Sequence, residues 1–556
     1  MENPDLSGSY WIQWFIKKCI TELNFSQLWH TDFVAYPHGM DLLSDFGPPF
    51  WECISIPFQL ILPFPTSYTV LVLFILFLNA FLFFLFAKFL YKNTSLAFLA
   101  GILGSINPYT IHHVNAGRLQ QMAIFWIPLF MLYLLKTKQQ PNIKNTIITS
   151  ILLILTTLSY WYYGMFLIIF MFLFLFYSYF LHATKREKLI LTKNICLVLF
   201  FFGLSILLLF GYPVIVKGLY PRGYSAIRPF PSFQEIVSKN TPNYFSFMIS
   251  GTSLKRLVNS SLIIAITNLL FLFNIKSLKK NLLWIISANI FYLLSLGPYL
   301  NIFGTIVPSF TFIFFYYLPT FLRLWWPINY FSMSISCSII ILISFINGLT
   351  YHKRIKTILS SFISLVFILL TYGNQHEFLP SSTLSFENLR FRFSQIKEPH
   401  SAYCYLKNQE ATAIIELPLN WGSTLFLDNQ MVHQKRTFNF PGYGFGEEIF
   451  IWPEKQVQLL KENLFLRYVD EACKHYSHTP VKKVISQQYT PQGIKKALEE
   501  LHNLGFNYIV VNPEYTFRYL GKENLLIDLI RFFPVPFKEY YDGLKLYRID
   551  NLIEDS

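Results

Sequence analysis

Between residues 67 and 372 the chain is a succession of apolar runs, and no other feature limits its fold as much. The runs lie at about 67–91, 95–111, 121–136, 145–160, 163–183, 190–214, 257–275, 281–300, 328–350 and 355–372. A helix crosses a ~30 Å hydrocarbon core with about 20 residues, and in lipid every backbone polar group must be satisfied inside the protein. The pattern therefore predicts about ten transmembrane helices. Composition agrees: 53% of the residues are hydrophobic and 14% charged, where soluble domains carry about 25% charged residues. Six scattered Cys are too few for a disulfide scaffold, and the apolar content excludes a disordered chain. An eleventh apolar stretch, 308–326, is interrupted by Pro308, Pro319 and Pro327 and reads as re-entrant or interfacial.

The distribution of charge supplies an orientation. Residues 374–556 hold 20 Lys and Arg against 22 Asp and Glu, whereas the first 373 residues hold 25 bases and nine acids. The basic clusters around Lys88/Lys92, Lys136/Lys138/Lys144, Lys185–Lys193, Lys276/Lys279/Lys280 and Lys353/Arg354/Lys356 occupy every second loop. By the positive-inside rule those loops face the cytoplasm. The N-terminal 66 residues, the loops near 112–120 and 215–256, and the tail then face outward. Because the basic excess is divided among short loops, it signals topology and gives no support to nucleic-acid binding.

Three regions follow: an extracytoplasmic loop over 1–66, a transmembrane domain over 67–373 and a soluble tail over 374–556. Residues 10–23, YWIQWFIKKCITEL, place Trp11, Trp14 and Phe15 near Lys17 and Lys18, the pattern of a helix lying in the membrane interface. The chain opens on the polar MENPDLSGSY, so an upstream first helix is expected to be missing. In the tail, ATAIIELPL (411–419), FNYIVVNPEY (506–515) and LKLYRI (544–549) read as strands. PQGIKKALEELHNLG (491–505) reads as an amphipathic helix stopped at Gly505. The tail is thus expected to be an α/β domain with a core of its own.

No Gly-rich phosphate loop, HExxH or GxSxG is present, and the Cys lack zinc spacing. What stands out is where the acids lie: seven of the nine in the first 373 residues fall within the first 52. Asp5 and Asp32, the latter between His30 and His38, are candidate bases; surface solvation is the plain alternative. The outward loop 107–121, NPYTIHHVNAGRLQQ, carries His113 and Arg118. Arg118 either snorkels to lipid phosphate or binds a phosphorylated substrate through its guanidinium fork. Tyr162 in YWYYG (160–164) is a belt aromatic or a sugar-stacking surface. Arg222, Arg228 and Glu235 lie in the next outward loop, and Arg323 lies in FLRLWWPINYF (321–331). Together these residues describe a site at the outer membrane surface for an anionic, membrane-anchored substrate.

NPDLSGSYWIQW, AYPHGMDLL, SINPYTIHHVNAGRLQQ, TLSYWYYG, SLGPYLNIFG and YLPTFLRLWWP appear in this order, followed in the tail by IIELPLNWG, NQMVHQKRTFNFPGYG and LGFNYIVVNPEY. In these segments the chain resembles a group of prokaryotic polytopic membrane proteins of the GT-C glycosyltransferase superfamily with a C-terminal extracytoplasmic domain. The resemblance runs from about residue 3 to the end. It implies transfer of a sugar from a polyprenyl-phosphate-linked donor to a glycan, lipid or protein acceptor outside the cytoplasmic membrane. It further implies Asp5 as general base for the acceptor hydroxyl, and it leaves a divalent metal open as cofactor. One departure stands in PINYF, where Asn329 replaces a second Arg that often follows Arg323. The competing readings are a lipid-linked sugar transporter or flippase and a non-catalytic envelope assembly protein. Ion coupling is disfavoured, since the predicted spans carry no ionisable residue away from their ends.

Overall fold

The computed structural model describes residues 4–28, 30–42, 49–64, 66–181, 184–219, 275–297, 299–302, 305–309, 327–348, 358, 361–362, 401–417, 419, 425–439, 454–475, 489–511, 538–539 and 544–555. Most of them are helical. They divide into two compact units, one holding the described residues up to Gln59 and from Ser401 onward, the other those from Leu60 to Phe362.

The first unit opens with α1 (Pro4–Thr21), the short antiparallel pair β1 (His30–Thr31) and β2 (Met40–Asp41), and α2 (Phe50–Ile61). Pro4 suits the first helical turn, where its missing N–H has no partner to lose. The apolar stripe of α1 recurs at 11, 12, 15, 16 and 19, the spacing of one helix face.

The helical unit runs through α3 (Thr66–Tyr91), α4 (Thr94–Ser105), α5 (Pro108–Asn115), α6 (Trp126–Gln139), α7 (Ile143–Ser159), α8 (Trp161–Leu181), α9 (Lys185–Leu219) and α10 (Ile275–Ser295). An antiparallel hairpin, β3 (Tyr299–Ile302) with β4 (Thr305–Pro308), precedes α11 (Phe331–Gly348). Four helices among the described residues are long and apolar enough to cross a membrane: Thr66–Tyr91, Trp161–Phe180, Lys185–Leu209 and Ile328–Gly348. The protein is a membrane protein on this ground. The last of the four is the most enclosed, and Ser332, Ser334, Ser336 and Ser338 lie buried along it, small residues that allow helices to approach closely.

Two expected spans are not single helices. The run 95–111 breaks after Ser105, where Asn107 caps α5 by accepting a hydrogen bond from the Thr110 backbone N–H at 2.9 Å. The run 121–136 begins as one turn, Leu119–Met122, and restarts at Trp126. The gap is satisfied by Asn79, fully buried in α3; its amide donates to the Met122 carbonyl and accepts from the Phe125 N–H, both at 2.9 Å. Hydropathy cannot register these breaks, because polar groups that satisfy each other are compatible with burial. The run 281–300 ends at Ser295 and passes into the hairpin. The run 257–275 up to residue 274, most of 355–372, and 310–326 lie outside the described residues.

The remaining elements belong to the first unit: α12 (Ser401–Lys407), β5 (Ala413–Leu417), α13 (Leu425–His433), β6 (Arg436–Thr437), α14 (Glu454–Glu462), α15 (Leu464–His475), α16 (Pro491–Asn503), β7 (Phe506–Val511), β8 (Lys538–Glu539), β9 (Lys545–Arg548) and α17 (Ile549–Asp555). The strands form one mixed sheet in the order β6-β5-β7-β9-β8, with β5 parallel to β6 and β7, and β9 antiparallel to β7 and β8. Alternate side chains enter two cores. Ala413, Ile415, Leu417, Ile509 and Val511 face one; Ile414, Tyr508, Val510 and Leu546 face the other with Ala402, Tyr403 and Leu406 of α12.

The first core also contains Trp11, Ile12, Phe15, Ile16 and Cys19 of α1, together with Val34, Ala35, Met40 and Leu42. Trp11 donates its Nε1–H to Gln430 at 2.8 Å, and the Ser7 hydroxyl donates to Asp428 at 2.7 Å. This corrects the reading of residues 10–23 as a helix in the membrane interface. An aromatic stripe with flanking Lys fits any apolar surface, and here the sheet supplies it. The division into an N-terminal loop over 1–66 and a separate tail over 374–556 is therefore not the division of the fold: α1 through β2 complete the core on which the tail's sheet rests.

Candidate functional site

In the helical unit, loop 107–121, the YWYYG segment and PINYF bring a set of polar side chains together inside apolar surroundings. Tyr109 and His113 stand four apart on α5 and so share a face; their rings are 4.5 Å apart. The Tyr109 hydroxyl lies 2.9 Å from the Tyr163 hydroxyl and 2.9 Å from the Asn329 amide, which in turn lies 2.9 Å from the Tyr160 hydroxyl. Tyr163 also donates to the Gln121 carbonyl. All of these side chains are buried.

Counting protons orients this chain. Each phenol has one, and a carbonyl has none to give. If Tyr163 donates to Gln121 and Tyr109 donates to Tyr163, then Tyr109 needs a donor from Asn329. Amide oxygen and nitrogen are interchangeable in shape. In the structure Tyr109 donates to the Asn329 oxygen and the Asn329 NH2 donates to Tyr160, which leaves the Tyr109–Tyr163 contact without a proton; turning the amide over gives every contact one. Asn329, the departure from the expected Arg, is thus the hinge of the network.

His113 is the exception. It is buried, and neither ring nitrogen has a partner in good hydrogen-bond geometry. Burial, with the charge-bearing neighbours His112 and Arg118 next in effect, pushes its imidazole well below the usual range, and a long hydrogen-bonding contact with the Asn329 side chain opposes this. His113 is therefore a neutral imidazole with hydrogen-bonding capacity to spare. Arg118 is half-buried and follows a turn that Gly117 makes with φ +70°, a conformation glycine enters freely. The Tyr68 hydroxyl holds that turn by donating to the Gly117 carbonyl at 2.9 Å. Tyr162 packs edge-on against Tyr160 at 5.3 Å. Of the residues expected to form a site, His113, Arg118 and Tyr162 are brought together. Their surroundings suit a ligand with hydroxyls to pair and negative charge for the guanidinium.

The other expected residues lie elsewhere. Asp5 stands in the first turn of α1, in the sheet-containing unit. Asp32 belongs to the same unit and is paired with Arg436 at 2.9 Å, with Gln27 donating to it at 3.2 Å. That pair ties the β1–β2 loop to β6, so Asp32 serves the fold. His38 is half-buried, and burial followed by the charge of Lys455 lowers its titration; its carbonyl is 3.1 Å from the His30 ring. Arg222, Arg228, Glu235 and Arg323 lie outside the described residues. Among the described residues no three His, Cys, Asp or Glu side chains gather to hold a metal ion.

Sequence reasoning missed Tyr109, Tyr160 and Tyr163, since tyrosines at span ends are ordinarily belt aromatics. The available signal was spacing: 109 with 113 on one helix face, and 160 with 163 across the start of the next long helix. It also missed Glu52, buried on α2 with one carboxyl oxygen unpartnered. Burial pushes this carboxyl up to about 7, against weaker opposing hydrogen bonds from the Glu52 and Trp51 N–H groups at the helix start. No protein-family model and no curated protein matches this sequence.

Proposed function

We propose that the protein is an integral membrane glycosyltransferase of the GT-C type. It spans the cytoplasmic membrane about ten times, keeps its sheet-containing unit outside, and transfers a sugar from a polyprenyl-phosphate-linked donor to a cell-envelope acceptor. One observation carries the reading: a buried polar cluster in which the neutral His113, neither nitrogen in good hydrogen-bond geometry, stands beside Arg118 and three phenols. Unsatisfied buried polar groups are costly, and a ligand's hydroxyls and phosphate would satisfy these. In this reading Arg118 stabilises the charge that develops on the departing phosphate, joined by Arg323. Asp5 removes the proton of the acceptor hydroxyl as that oxygen attacks the anomeric carbon.

The test is sugar transfer by the purified full chain in lipid vesicles, with polyprenyl-phosphate-linked sugars as donors. Asp5→Asn keeps size and removes basicity, so it is expected to lower the transfer rate ~10²–10⁴-fold with unchanged expression. Undiminished transfer by that variant would remove Asp5 as base. Binding of the donor without transfer by the wild type would favour the transport or assembly readings.

A further inference from the structure

The structure points to a second mode of membrane contact, made by α2. Its faces are inverted relative to a helix of a water-soluble protein. Trp51, Glu52, Ser55 and Gln59 are the buried residues, three of the four polar. Gln59 donates to the Gln13 carbonyl at 3.3 Å and to Ser55 at 2.7 Å, and its own carbonyl accepts from Lys17 at 2.9 Å. The opposite face presents Cys53, Pro57, Leu60 and Ile61, all exposed. Leu60 and Ile61 are 65% and 82% accessible. At 100° per residue these four fall within one quarter-to-third of the helix circumference, and no charged residue shares it.

We propose that this outward face of α2 is seated in the lipid bilayer at the boundary between headgroups and acyl chains. Two observations select lipid as the occupant. First, residues 62–65 are the only link to α3, a candidate span. Five Cα steps reach at most ~18 Å, so the end of α2 is tethered close to a membrane surface. Second, apolar residues continue past Ile61 as Leu62, Pro63 and Phe64, with Pro63 exposed, and further on α3 exposes Leu73, Phe74, Phe77 and Phe81. A polar face turned into protein and an apolar face turned outward is the arrangement a helix needs when its surroundings are hydrocarbon on one side. The interfacial role expected of α1 thus belongs to α2. This inference rests on α3 crossing the membrane and is independent of the sugar-transfer reading.

Cys53 is exposed on the face in question and provides the probe. The full chain with Cys404, Cys196 and Cys473 replaced by Ser is labelled at Cys53 with an environment-sensitive fluorophore and placed in phosphatidylethanolamine–phosphatidylglycerol vesicles. Two companion proteins retain Cys196 or Cys404 in place of Cys53, both of them exposed; Cys196 lies in a candidate span and Cys404 in the sheet-containing unit. Acyl-brominated lipid is expected to remove about half or more of the Cys53 emission, as at Cys196, a depth of ~5–10 Å being within its reach. Iodide is expected to quench Cys53 less than Cys404. Emission at Cys53 that brominated lipid leaves unchanged overturns the proposal: strong iodide quenching would then put the face in water, and protection from both quenchers would put it against protein, whether a second copy or another chain.

Discussion

The two compact units each bury a polar centre of similar size, and the two centres are finished differently. In the sheet-containing unit, Glu416 at the end of β5 accepts from Tyr403 and Asn429, both at 3.0 Å, and pairs with His433 at 3.3 Å. The Lys435 backbone N–H donates to His433 Nδ1 at 3.0 Å, which leaves the proton on Nε2 facing Glu416. Every polar group there has a partner. In the helical unit the three phenols and Asn329 complete a comparable chain, yet His113 beside them is left without a partner in good hydrogen-bond geometry. A satisfied network rigidifies a core, whereas an unsatisfied one stores a cost that a ligand can relieve. The first centre is architecture, and the second is the proposed site.

Four measurements would break or sharpen that contrast. The largest effect concerns the architecture. Residues 391–556 expressed without residues 1–59 are expected not to fold, because Trp11, Phe15, Ile16 and Met40 are missing from their core; supplying 1–59 in trans should restore near-ultraviolet circular dichroism. A cooperatively unfolding fragment would refute the shared core. Next, Glu416→Ala strands three buried partners and should cost about 3–5 kcal/mol, the scale for opening a buried charged pair. Hydrogen exchange over β5 and β7 would report it, and unaltered protection would mean the network is not structural.

Glu52 gives an intermediate effect with a sign set by linkage. Its folded titration is raised to about 7 from the ordinary value of 4.5. The folded state therefore favours the protonated form, and stability is lost as pH rises from about 4.5 through about 7. Two to three units correspond to about 3 kcal/mol. Glu52→Gln should remove this dependence, so that the variant matches wild type near pH 4 and exceeds it above pH 7; parallel stability curves would contradict the burial. The smallest stability effect is expected at His113. Replacing it with Leu removes two nitrogens that lack a partner in good geometry, so stability should stay within about 1 kcal/mol of wild type, while binding of a polyprenyl-phosphate sugar falls. A loss comparable to that of Glu416→Ala would place His113 with the architecture.

Much of this was legible in the sequence, and the failures share a cause. The strands at 411–419, 506–515 and 544–549 and the helix ending at Gly505 appear where alternation and stop signals put them. The long apolar helices over 66–91, 161–181 and 185–219 follow from run length. Of the site, His113, Arg118 and Tyr162 were marked by polarity next to apolar runs. The tyrosines of the same cluster were not, because a phenol at a span end has the same sequence signature whether it meets lipid headgroups or an asparagine. The partner of Asp32 was illegible for a similar reason: its carboxylate is fastened to Arg436, 404 positions away.

α1 and α2 state the rule most plainly. Periodicity along the chain determined by itself that each is an amphipathic helix, since that depends on residues three and four apart. Which surface each apolar stripe meets depends on contacts across hundreds of residues, and an apolar stripe has the same affinity for any surface that excludes water. Only the tertiary structure could give Trp11 and Phe15 to the sheet, leave Leu60 and Ile61 outward, and turn Glu52 and Gln59 inward.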